Sequence, residues 1–133
     1  MDLEHHSHGY GQCAYHIVLV PRYRHNIFLD ASLQKRCAEL LRDVSERNGF
    51  TMHELLIAPD HVHLFLGIGP THSISDAITA LKCNSARALF SEYPELRKKF
   101  WRGHLWSSGK FYRSIGNVTA ETIQHYIARS GHK

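Results

Sequence analysis

The chain has 133 residues, a formal net charge of +4 with its twelve histidines counted as neutral, and a sequence pI of about 9.1. That length suits one compact domain, 1–133, and its 43% hydrophobic and 21% charged residues are those of an ordinary soluble globular protein. No run approaches the roughly 20 apolar residues of a membrane helix, and the mild basic excess suits an anionic partner such as nucleic acid without requiring one.

The start, MDLEHHSHGY, is acidic and histidine-rich, unlike a signal peptide. Residues 1–12 are expected to be a flexible end, although His5, His6 and His8 are capable of loose metal binding. AYHIVLV (14–20) reads as a strand halted by Pro21. Residues 31–49 carry a helical stripe of Leu33, Cys37, Leu40, Leu41 and Val44, with Asn48-Gly49 as the stop. Residues 52–58 and 61–68 read as strands joined by a tight turn at Pro59-Asp60. A second helix spans 73–93, capped by Ser73 and closed by Pro94. HLWSSGKFYRSI (104–115) reads as a hairpin or strand around Ser107-Ser108-Gly109. A third helix follows over 118–130, capped by Asn117. The three cysteines, Cys13, Cys37 and Cys83, are odd in number and lack a C-x-x-C spacing. They are expected to be buried free thiols in a reducing cytoplasm.

The order β-α-β-β-α-β plus a C-terminal helix defines an α+β chain. It suits a ferredoxin-like antiparallel sheet with both helices on one face, leaving the other face open.

APDHVHLFLGI (58–68) sets two histidines on that open face. Strand residues two apart point the same way, with Cα atoms about 6.6 Å apart. Val62, Leu64, Leu66 and Ile68 therefore form the apolar face, and His61, His63, Phe65 and Gly67 the opposite one. Two such imidazoles can converge on one divalent ion. Surface histidines on a half-exposed sheet would show the same spacing.

In ETIQHYIARS, Ile123 and Ile127 form a buried stripe with Tyr126 at its border, close to Thr122, Arg129 and Ser130. A phenol there is either a packing residue or a nucleophile toward phosphorus. Cations interleave with aromatics in PRYRHNIF (Arg22, Tyr23, Arg24), on the second helix (Lys82, Arg87) and in RKKFWRGHLW. Cations contact phosphates while aromatic faces stack on unpaired bases; solvated surface is the alternative.

Taken together, YHIVLVPRYRHNIF (15–28), APDHVHLFLGI (58–68), SISDAITALKCNSARALF (73–90), LWSSGKFYRSIG (105–116) and NVTAETIQHYI (117–127) resemble the one-tyrosine HUH single-strand DNA transposases of the insertion-sequence 200/605 family. The resemblance spans nearly the whole chain. It implies that His61 and His63 hold a divalent metal, Mg²⁺ or Mn²⁺. It implies that Tyr126 attacks single-stranded DNA at hairpin-marked element ends to form a transient 5′-phosphotyrosine. It further implies a homodimer, and a DNA-contacting surface that includes Arg22, Arg24, Lys82 and Arg87.

One departure stands out. The family usually has a glutamine four residues after the tyrosine as a third metal ligand, and here that position is Ser130. Gln124 lies about 160° and His125 about 100° around the helix from Tyr126, so neither is an obvious substitute. Ser130, a water or a residue elsewhere completes the site, or metal binding is weaker. Two other readings stand beside an active transposase: a domesticated relative that binds hairpins without cutting, and a metal-dependent phosphodiesterase in which water attacks.

Overall fold

The computed structural model describes residues 13–100 and 103–117. The start at 1–12, the helix read at 118–130 with Tyr126 and Ser130, and Trp101 and Arg102 all lie outside the described residues.

Among the described residues, strands and helices follow the expected β-α-β-β-α-β order. β1 (Cys13–Leu19) leads through two short 3-10 turns, Arg22–Arg24 and Ile27–Leu29, into α1 (Ala31–Arg47). β2 (Thr51–Ala58) and β3 (His61–Ile68) follow as a hairpin, then α2 (Ile74–Glu92), a short α3 (Pro94–Lys99) and β4 (Phe111–Asn117). The sheet order is β2-β3-β1-β4 with every neighbouring pair antiparallel, the ferredoxin-like arrangement.

Strand alternation decides which face meets the helices. Ile17, Leu19, Val62, Leu64, Leu66 and Ile68 are buried under α1 and α2, against Cys37, Leu41, Val44, Ile78, Leu81 and Leu89. Each such aliphatic side chain contributes about 1.5–3 kcal/mol through burial. The helices begin and end where local chemistry requires. Asp30 Oδ1 accepts from the backbone N–H of Ser32 at 2.8 Å and of Leu33 at 3.2 Å, satisfying two donors that α1 cannot. Ser73 Oγ does the same for Asp76 N–H at 3.0 Å at the start of α2. Past the end of α1, Gly49 adopts φ +76°, a conformation costly for residues with a Cβ.

Three local expectations are corrected. Pro94 does follow the end of α2, but it also opens α3, where its missing N–H leaves no helical bond unmade. The segment 104–110 is not a hairpin, and strand begins only at Phe111. Leu105 and Trp106 are consecutive and both buried, and Trp106 forms only an isolated antiparallel bridge with Pro21. The loop instead zips onto the end of β1 through Arg22 N–H to Leu105 O at 2.8 Å and Ser107 N–H to Val20 O at 2.6 Å. The thiols also differ from expectation: Cys37 is buried, Cys13 is intermediate and Cys83 is exposed. Cys83 stands two residues from both Leu81 and Ser85, about 200° around α2 from that buried line.

Candidate active site

The face of the sheet opposite α1 and α2 carries the histidines. Pairing places Leu56, His63, Val18 and Phe111 in one row across the four strands, and Glu54, Phe65, His16 and Arg113 in the next. His61 and His63 are partly exposed while the residues that alternate with them are buried, as the strand period requires. Their rings approach to 4.7 Å between centroids at 74°.

The turn before β3 anchors the first imidazole. Pro59 and Asp60 form a two-residue connection in which neither residue has positive φ. Pro59 O accepts from Phe28 N–H at 3.1 Å, fastening the turn to the segment before α1. Asp60 Oδ1 lies 2.8 Å from His61 Nδ1. An ionised carboxylate only accepts, so Nδ1 carries the hydrogen of this contact, and in the neutral ring the lone pair is then on Nε2. The bond from His61, and then the Arg24 guanidinium, hold the Asp60 carboxyl below the usual carboxylate range. Arg24 Nη2 reaches Asp60 Oδ2 at 3.2 Å from a corner where Tyr23 (φ +63°) and Arg24 (φ +51°) both adopt left-handed backbone. Such backbone is uncommon for residues with side chains and costs about 1–3 kcal/mol each.

The second imidazole has its own anchor. His63 Nδ1 lies 3.0 Å from Nε2 of His16 on β1. The two ring planes are within 15° with centroids 5.1 Å apart. Burial pushes the His63 imidazole below its ordinary pKa, helped by His61 and His16; burial and Arg113 do the same to His16. Neutral imidazole is the form that donates a lone pair to a metal.

Both Nδ1 atoms are thus engaged, and among the described residues no hydrogen bond is made at Nε2 of either ring. That arrangement fits a divalent cation, because metal-bound histidines characteristically have their second nitrogen held by a carboxylate or other partner. Among the described residues no three His, Cys, Asp or Glu side chains converge as a complete ligand set.

The basic residues divide between two places. Arg22, Lys82 and Arg87 line an open groove of about 740 Å³ beside α2, joined there by Arg97, His104 and Lys110. α2 packs on the core face of the sheet, so this groove belongs to the helical side. Arg24 is elsewhere, paired with Asp60 beside the histidines. Lys82 donates to the carbonyls of Ser107 and Gly109, both at 2.8 Å, and so closes the loop over α2. Burial, and then Lys110, press its ammonium below the ordinary lysine pKa.

Sequence reasoning singled out neither His16 nor Asp60 as a partner of the histidine pair. The available signal was a polar imidazole in the middle of AYHIVLV and a carboxylate directly before H-x-H.

A ferredoxin-like sheet with paired, anchored imidazoles on the face opposite α1 and α2 and a basic groove on its helical side is the frame into which the comparisons fall. Residues 10–130 match the family of IS200-like transposases, and the chain belongs to that family. It is 35% identical over 116 residues to the ISDra2 transposase TnpA of Deinococcus radiodurans, covering 87% of this chain and 82% of that one. It is 31% identical over 121 residues to the transposase for insertion sequence element IS200 of Salmonella typhimurium, covering 91% and 78%. A crystal structure from Deinococcus radiodurans, of a protein assigned as a transposase, superposes with a TM-score of 0.71 at 34% identity, over 92% of this chain and 93% of that one. A REP-associated tyrosine transposase bound to a REP hairpin shares the fold, with a TM-score of 0.58 at 11% identity, over 86% and 62%.

Proposed function

We propose that this transposase cleaves and rejoins single-stranded DNA at hairpin-marked element ends, with Tyr126 as nucleophile and His61 and His63 as ligands of Mg²⁺ or Mn²⁺. The observation that carries the reading is the pair of imidazoles whose Nδ1 atoms are both engaged, leaving both Nε2 atoms for one cation.

A divalent ion bound there supplies Lewis-acid stabilisation of the charge that develops on the scissile phosphate. The chain's own residues do the rest. The Tyr126 phenolic oxygen attacks phosphorus, the bond to the 3′ oxygen breaks, and a 3′-hydroxyl departs carrying a proton. A phosphodiester becomes a phosphotyrosine diester, so the bond energy is conserved and an incoming 3′-hydroxyl can reverse the step. With an unperturbed pKa near 10, the phenol must lose or share its proton as attack proceeds.

The groove lined by Arg22, Arg87, Arg97 and Lys110 suits the phosphates of a hairpin stem. Arg24 stands beside the imidazoles, where it is suited to the cleaved strand instead. Two copies work as a homodimer. A third ligand comes from Ser130, from water or from another part of the assembly.

The test is a suicide substrate. A hairpin oligonucleotide with a single-stranded flank is incubated with protein and Mg²⁺ or Mn²⁺ and run on a denaturing gel. Wild type forms a covalent adduct, and Tyr126→Phe forms none while still binding the hairpin. Cutting by Tyr126→Phe at an undiminished rate would show that water attacks. The serine at 130 in place of glutamine favours a second reading, a hairpin binder without cleavage. It predicts retained binding and no adduct with either metal.

A further inference from the structure

We propose that His16 is a positioning residue for His63: by occupying Nδ1 of that ring it leaves Nε2 as the nitrogen that meets the metal. The inference rests on the metal-binding reading above and goes beyond it to a residue on a different strand. His16 sits in the middle of β1, whose register opposite β3 pairs it with Phe65 and pairs Val18 with His63. The 3.0 Å contact therefore runs diagonally between rows and is set by the sheet ladder, not by a flexible loop. Its rings are near-parallel, and their facing nitrogens meet at hydrogen-bond distance.

The proton balance follows. For His63 Nε2 to offer its lone pair, Nδ1 must carry the ring proton and donate it to an unprotonated His16 Nε2. His16 then keeps its own proton on Nδ1. This parallels the anchoring of His61 by Asp60, so each imidazole of the pair has a separate device for the same end. His16 Nε2 is committed to His63, which sets it behind that ring and not beside it as a further ligand.

Mn²⁺ titration by calorimetry on the full chain tests this, with thermal melts of every variant in metal-free buffer. His16→Phe is expected to weaken Mn²⁺ binding about ten- to a hundredfold, the range for losing an outer partner of a ligand. His16→Gln, whose amide oxygen can accept near the place of Nε2, is expected to recover most of that loss. In the Mg²⁺-saturated wild type, long-range ¹H–¹⁵N spectra should find the His63 proton on Nδ1. Wild-type affinity in His16→Phe overturns the proposal, as does a His16→Gln variant that melts like wild type yet binds as poorly as His16→Phe. A proton on His63 Nε2 in the Mg²⁺-saturated spectrum, which needs no variant, overturns it equally. If the His61→Ala, His63→Ala double variant binds Mn²⁺ like wild type, the metal reading itself falls and takes this one with it. Binding that depends on both histidines but is indifferent to His16 removes only the positioning role.

Discussion

The Trp106 indole N–H donates to the Ser85 hydroxyl at 2.9 Å, and Ser85 Oγ in turn donates to Leu81 O at 2.7 Å. Ser85 is fully buried, so this bond ties the loop before β4 to the inner face of α2. Ser85→Ala would leave the indole N–H without its partner in an apolar setting. We expect a loss of about 1–3 kcal/mol in denaturant unfolding, with a change in Trp106 fluorescence. Unchanged stability would mean that the indole finds another acceptor.

Asp60 holds His61 as a carboxylate partner, and its removal should act on the metal before it acts on the fold. Asp60→Ala is expected to weaken Mn²⁺ binding about tenfold or more, measured by calorimetry, with little change in melting temperature. Asp60→Asn, which can still accept at its amide oxygen, should fall between. Equal affinity across all three proteins would make the Asp60 contact incidental.

The groove cations separate by what they touch. Arg87 is exposed and free to meet phosphate, so Arg87→Ala should weaken hairpin binding. It should also reduce the slope of log affinity against log salt by about one phosphate equivalent, roughly 0.7–0.9. Lys82→Met should instead destabilise the fold, because the carbonyls of Ser107 and Gly109 lose their donor. A salt slope lowered by Lys82→Met at unchanged melting temperature would reverse that assignment.

His53 makes stability depend on pH. Its Nε2 is buried without a hydrogen-bond partner among the described residues, its ring meets Phe65 edge-on, and burial lowers its pKa. A depressed folded-state pKa means that the unfolded chain binds more protons below the ordinary imidazole value. Stability is then fully present above that value and lost as pH falls through it. Burial of His16 and His63 acts in the same direction. Metal-free melts should show a lower midpoint at about pH 5 than at about pH 7.5, and His53→Phe should flatten the difference. A steeper dependence in that variant would exclude this origin.

Much of the fold was legible because it rests on local periods. The two-residue repeat assigned His61 and His63 to one face and Val62, Leu64 and Leu66 to the other, and caps at Ser73 and Gly49 marked helix ends. The partners of the histidines were harder to read. The His16 to His63 bond joins residues 47 apart and exists only once β1 and β3 are in register. Of the hairpin or strand expected over 104–115, the strand forms from Phe111, while Leu105 and Trp106 before it take their places from tertiary burial, which no short-range pattern encodes. Arg24 separated from Arg22 and Arg87 through two left-handed residues that no glycine announced.

The turn at Pro59-Asp60 has just two residues, and the imidazole pair begins directly after it. Adding a residue between Asp60 and His61 would, with β3 held in register, move the Asp60 carboxylate off its imidazole. Descendants of this chain that keep the chemistry should therefore keep the length of this turn together with the carboxylate and the imidazole that meet across it.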